Sequence, residues 1–198
     1  MADDSYLTLA APAEGFYKEK GSKFIARAYH CTSEEEVKEK QTELRKEFYD
    51  ARHHCYAYII GRDGERYRAN DDGEPNNSAG QPILGQIRSK QLTDTLVVVV
   101  RYFGGTKLGV SGLIQAYKTA TAEALENAEI EERYYTKEVS VSFEYPEMNI
   151  VMRTVKNYDL PVLEQDFRIS CKLRATVRES LLDEVVSAFG DAGKVEVE

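Results

Sequence analysis

The stretch TLVVVVRYFGGTKLGVSGLIQAY (95–117) decides how the first half of the chain is built. Residues 95–100 are a continuous run of β-formers, the pattern of a strand buried on both faces. After the loop, Leu113, Ala116, Tyr117, Ala120 and Ala124 recur at helical spacing and form one apolar stripe. A strand, a glycine loop and a helix in that order also describe many phosphate-binding loops. A Walker loop needs Gly, four residues, then Gly-Lys-Ser/Thr. Gly104 and Gly109 have that spacing, but Val110 and Ser111 follow, so the phosphate-gripping lysine is missing. The dinucleotide fingerprint G-x-G-x-x-G fails at Gly104-Gly105, and Gly109 with Gly112 matches only its second half. Two readings are open. Gly104, Gly105, Lys107, Gly109 and Gly112 hold an anion where helix amides lack internal partners, or the glycines serve a tight, closely packed turn.

Working outward, KFIARAYH (23–30) alternates as a strand after a short N-terminal arm. Ser33 followed by Glu34, Glu35 and Glu36 is a helix start: Ser33 caps, Glu36 completes the capping box, and the carboxylates face the positive helix end. Val37, Leu44 and Phe48 give that helix its apolar stripe. HCYAYIIG (54–61) and ERYRAN (65–70) flank a glycine-bounded turn and read as a hairpin. DDGEPNNSAGQ (71–81) is a turn-rich loop, and a short helix begins at Pro82. The first unit is therefore β-α-β-β-(loop)-β-α.

Residues 127–135 read as a boundary, dividing a first domain, 1–132, from a second, 133–198. In the second, Val139, Val141, Phe143 and Tyr145 share a strand face, and Pro146 opens a helix with Val151, Val155 and Tyr158. LPVLEQDF and RISCKLRATV follow as strands, the latter with Ile169, Cys171, Leu173, Ala175 and Val177 inward. A helix bearing Leu181, Leu182, Val185, Val186 and Phe189 ends at Gly190, and KVEVE closes the chain. The order β-α-β-β-α-β is the ferredoxin-like arrangement. The fold class expected is α+β with two layered domains.

The composition is that of an ordinary globular protein, 42% apolar and 30% charged, with a net charge of −8. Residues 1–135 carry 22 acids and 18 bases and residues 136–198 carry 12 and 8, so each half is −4. No global field draws the chain onto nucleic acid. The apolar run 96–100 is far too short to cross a bilayer, and the acidic start lacks the basic region of a signal peptide. Cys31, Cys55 and Cys171 are odd in number and widely spaced, as in the reduced cytosol. No CxxC pair or cofactor motif is present, so neither a structural zinc nor a cofactor is expected.

Three clusters carry candidate chemistry. Asp71, Asp72 and Glu74 put three carboxylates in four residues, which suits a hard cation or a set of turns. His53 and Cys55 share one side of a strand and both titrate near neutrality, although Cys55 also falls in line with Ala57 and Ile59 as a core residue. Arg168, Lys172 and Arg174 make a basic row on a sheet face where phosphates can lie, without the aromatic side chains of an RNA-stacking sheet.

Together, ARHHCYAYIIG, DDGEPNNSAGQPIL and VVVVRYFGGTKLGVSGLIQAY resemble, in this order, the signatures of the YigZ/IMPACT family. The chain differs at Asn76-Asn77-Ser78, where the family usually has Ser-Gly-Thr, and at His54, where it often has Asn. The resemblance marks His53, Cys55, residues 71–75, Arg101, Tyr102, Phe103, Gly104, Gly105, Lys107, Leu108 and Gly109. It implies a first domain similar to domain IV of elongation factor G and a ferredoxin-like second domain similar to its domain V. Eukaryotic members carry an RWD domain and act on translational control by competing for a kinase activator; this sequence has no RWD segment, and that partner does not carry over. The function implied is a cytoplasmic, translation-related binding protein that associates with ribosome, RNA or a translation factor. The alternative is a hydrolase-like enzyme in which His53, Asp71, Asp72 and Glu74 surround a small anionic or phosphorylated substrate held by Arg101 and Lys107. Convergence of these side chains in one cleft favours the enzyme, and consumption by backbone groups favours a scaffold.

Overall fold

The computed structural model describes residues 4–168 and 170–198, and divides them into two units, 7–132 and 133–198 with the N-terminal residues up to Tyr6. The chain is a mixed α/β protein with several antiparallel sheets. No helix among the described residues is long and apolar enough to cross a membrane.

The first unit is organised by a five-stranded sheet of β2 (Ala13–Glu19), β3 (Ser22–His30), β6 (Thr95–Tyr102), β4 (His53–Ile60) and β5 (Arg66–Asn70), in that order. Every neighbouring pair is antiparallel. The run 95–100 is buried throughout, as its composition requires, but the strand lies in an antiparallel sheet. Its two-sided burial comes from helices on both faces. Val97 and Val99 join Phe24, Cys55 and Ala57 under α2 (Gly80–Ser89) and α3 (Gly109–Glu126), while Leu96, Val98 and Val100 join Val37 and Leu44 of α1 (Glu34–Glu47). Fully burying each such valine or leucine contributes on the order of 1.5–3 kcal/mol relative to exposure. β6 also runs two residues past the valines, so Arg101 is part of the strand and buried.

Some local features differ from those expected from sequence. The N-terminal arm contains β1 (Ser5–Leu9) and β2; β2 lies so close to α3 that a Cβ on Gly15 would come within 2.3 Å of the Ala124 nitrogen. The boundary segment contains β7 (Ile130–Tyr134), which pairs with β1. The helix expected from Pro82 begins at Gly80. At the start of α1, Ser33 Oγ accepts from the Glu36 amide at 3.2 Å, and the Glu36 carboxylate reaches back to the Ser33 backbone and also accepts from the Thr32 amide at 2.7 Å.

In the second unit, β8 (Thr136–Phe143), α4 (Met148–Asn157), β9 (Val162–Asp166), β10 (Cys171–Arg178), α5 (Leu182–Phe189) and β11 (Gly193–Val197) follow in order. The sheet runs β11-β8-β10-β9, all antiparallel. Val139, Val141, Leu173, Ala175 and Val177 pack against Val151, Val155, Val185 and Phe189 of the two helices. Ile169, expected on this face, lies outside the described residues.

Candidate functional site

The register brings two of the marked segments together. His53 and Phe24 flank Arg101 across the sheet, and Cys55 lies opposite Val99, so His53, Cys55 and Arg101 share the face covered by α2 and α3. At this end of the sheet the apolar core gives way to a polar network. Arg101 Nη1 donates to Glu74 Oε1 at 2.7 Å, and the same oxygen accepts from the Tyr117 hydroxyl at 2.7 Å. Cys55 Sγ lies 3.3 Å from Tyr117 Oη and 3.0 Å from the Asp71 carbonyl oxygen. Arg101 and Glu74 side chains are only 7% and 4% exposed. A buried charge of either sign is costly alone, and here the two opposite charges lie within hydrogen-bonding distance of each other. Arg101 Nε has no hydrogen-bond partner among the described residues, and the guanidinium lies 5.5 Å from the Phe24 ring centroid and 5.7 Å from that of Phe103. Arg101 Nη2 also reaches Ser22 Oγ at 3.4 Å, which accepts from the Gly104 amide at 3.1 Å.

The acidic loop is spent in the same way. One Asp71 oxygen accepts from the Ala79 and Gly80 amides at 3.1 and 2.8 Å, and the other from the Asn77 amide at 2.8 Å. This carboxylate, eight and nine residues away in sequence, caps the start of α2 where no local side chain does. Asp72 Oδ2 accepts from the His54 amide at 2.7 Å and pairs with Arg45 at 3.1 Å. Asp72 itself sits at φ 37 and its carbonyl lies 2.9 Å from His53 Nδ1. The three carboxylates thus face three different sets of partners, and no metal-ligating cluster of three His, Cys, Asp or Glu occurs among the described residues. Burial pushes the Cys55 thiol well above its ordinary range, away from thiolate chemistry.

The glycine loop answers the question its sequence poses. A Cβ on Gly104 would stand 2.0 Å from the Gly21 carbonyl carbon, so two glycine turns meet back to back. Gly105 and Gly109 take φ +92 and +73 with open space around them, and Gly112 lies inside α3. What this turn presents outward is Phe103, 56% exposed, followed by Lys107 and then Val110, 52% exposed. Tyr102 is half-buried and donates to Asp50 at 2.7 Å. A cleft of about 110 Å³ beside the turn is lined by Tyr17, Glu19, Lys20, Leu108, Gly112 and Gln115.

The basic row of the second unit is largely neutralised. Arg168 precedes β10 and chelates Asp166, and Arg174 pairs with Glu138 and Glu164, leaving Lys172 exposed without an ion pair among the described residues. Ser22 and Tyr117 complete the Arg101–Glu74 network, and nothing in their local sequence marks them for it. By spacing Tyr117 falls in the apolar stripe, where its hydroxyl is more than bulk alone requires.

His54 points to the opposite face and is 5% exposed, with its ring against the carbonyls of Leu44 and Phe48 at the end of α1. Burial holds its pKa below the ordinary value of 6.5, with Arg45 acting in the same direction; Asp72 and the carbonyls ending α1 oppose them. A depressed histidine pKa means the unfolded chain binds the proton first, so stability is present above the unfolded pKa and is lost as pH falls. Urea midpoints measured between about pH 7 and pH 5 are expected to fall, and His54→Phe is expected to flatten that fall. An unchanged pH profile in the variant overturns this assignment.

Comparisons with known proteins agree with these segments. A family model described as the Impact N-terminal domain matches residues 20–125. The chain is 38% identical over 141 residues to the IMPACT family member YvyE of Bacillus subtilis (strain 168), a match covering 71% of this chain and 65% of that protein. It is 30% identical over 190 residues to the IMPACT family member YigZ of Escherichia coli (strain K12), covering 95% and 93%. A crystal structure described as that of a hypothetical protein superposes with a TM-score of 0.73 at 29% identity, covering 98% of this chain and 96% of the other. With the family model spanning the acidic loop, β6 and the glycine turn, and a relative aligned over nearly its whole length, the chain belongs to the IMPACT family.

Proposed function

We propose that this protein is a cytoplasmic, translation-related binding protein that associates with the ribosome or its RNA through the exposed turn at 103–107. The observation that carries the reading is the Arg101–Glu74 pair. The two most distinctive segments of the sequence spend their charges on each other, on backbone amides and on Tyr117, and the rigid product is a turn displaying Phe103 and Lys107. Acid/base catalysis needs titratable groups facing a substrate; here Asp71, Asp72 and Glu74 face their own fold. The likeness of the first unit to domain IV of elongation factor G, and of the second to a ferredoxin-like domain V, is part of the proposal and an analogy of fold. The strand order β11-β8-β10-β9 supports the ferredoxin-like half.

Co-sedimentation with ribosomes through a sucrose cushion tests the reading. Because the chain carries −8 overall, association by a local basic and aromatic surface is expected at low salt and weakens as salt screens it. Absence of the protein from the ribosomal pellet at low salt overturns the proposal.

A further inference from the structure

The outer edge of the first unit carries a second concentration of positive charge that the glycine turn does not explain. Among the described residues β5 is the last strand of its sheet, paired only with β4. Arg66, Tyr67 and Arg68 are all exposed, Tyr67 to 55%. Arg66 and Arg68 lie opposite Ile60 and Tyr58 and so share one face, two residues apart, a separation of about 7 Å. Tyr67 lies on the other face, where Arg88 of α2 stacks its guanidinium 4.7 Å from the ring centroid.

These arginines differ from others in the chain. Arg27 pairs with Glu14 and Glu47, Arg101 with Glu74, Arg168 with Asp166, Arg174 with Glu138 and Glu164, and Arg178 with Asp4. Among the described residues, Arg66, Arg68 and Arg88 have no carboxylate partner. In sequence, Asp63 and Glu65 precede these arginines, and Glu34 is engaged by the Tyr58 hydroxyl. A charge on an edge strand can serve simply to block pairing with another chain. One lysine does that, whereas two aligned arginines on one face and an exposed arginine–tyrosine stack on the other, both reached from the open edge, supply what an extended polyanion with flat bases requires.

We propose that the β5 edge binds single-stranded RNA, with Arg66 and Arg68 on successive phosphates and the Tyr67–Arg88 pair as a stacking platform for a base. The choice of RNA over DNA rests on the translation-related reading above; the charge and stacking argument does not. An acidic peptide added to the open strand edge is the competing occupant, and it has no use for the aromatic platform.

Fluorescence anisotropy with a labelled single-stranded RNA of about a dozen nucleotides, titrated between about 50 and 200 mM KCl, tests the strip. Each lost phosphate contact removes about 0.7 from the salt slope of a single strand, so Arg66→Ala/Arg68→Ala should flatten it by about 1.4 and weaken low-salt binding roughly ten- to a hundredfold. Tyr67→Ala should weaken binding about five- to 150-fold with the slope unchanged. Arg153→Ala, which removes an exposed charge in the second unit, should leave both near the parent values. The proposal is overturned if the parent does not bind the oligonucleotide at low salt, if the double variant matches Arg153→Ala, or if a labelled polyglutamate peptide binds as tightly as the RNA. Ribosome sedimentation separates the two proposals: a parent that binds RNA but does not sediment leaves the strip standing and removes the translation-related reading.

Discussion

Replacing Arg101 with methionine is expected to lower the unfolding free energy by about 3–5 kcal/mol. The substitution keeps an unbranched apolar stem but removes the guanidinium, leaving the Glu74 carboxylate, 4% exposed, with the Tyr117 hydroxyl as its one side-chain partner among the described residues. It also removes the donor to Ser22, which positions the Gly104 amide. A domain is held by only about 5–15 kcal/mol, so the variant should unfold at a far lower urea concentration. Removing the second charge as well, in Arg101→Met/Glu74→Leu, should recover part of the loss, because no lone buried charge remains. A double variant as unstable as the sum of its two single variants would show that the pair acts through something other than mutual neutralisation.

The second large effect is expected at Gly104. An alanine there places its methyl 2.0 Å from the Gly21 carbonyl carbon and 2.2 Å from the Ser22 nitrogen, both backbone atoms that no rotamer change can move. The loop must lift off the β2–β3 turn and give up its bond to Ser22, at a cost of about 3 kcal/mol. Gly105 offers the matched control. Its φ of +92 disfavours a side chain, but nothing lies within 4 Å of the added atom, so Gly105→Ala should cost only about 1 kcal/mol. Urea unfolding of the pair separates close approach from backbone strain; equal losses contradict the packing account of the loop.

Much of the secondary structure was legible because local chemistry dictated it. The valine run, the helical stripe from Leu113 to Ala124 and the Ser33 cap each state their conformation within a few residues. β1, β2 and β7 were not legible, because their stability comes from partners far away: β1 pairs with β7 more than a hundred residues on, and Gly15 is informative only once Ala124 is beside it. The same limit applies to the site. Sequence reading marked Arg101 and Glu74 but left both open to solvent chemistry, since pairing across 27 residues depends on register. From sequence, Asp71 reads as a turn former or a cation ligand, because a carboxylate that caps a distant helix has no local signature. Within the second unit, alternation revealed the basic row, but the acids that quench it sit on β8 and β9.

The central claim is that the buried network serves as scaffold and the turn it holds makes the contacts. Ribosome co-sedimentation of Phe103→Ala/Lys107→Glu, alongside its urea unfolding, tests it most directly. Both side chains are exposed, so stability should stay within about 1 kcal/mol of the parent while the protein disappears from the low-salt ribosomal pellet. A stable double variant that sediments as the parent does would contradict it.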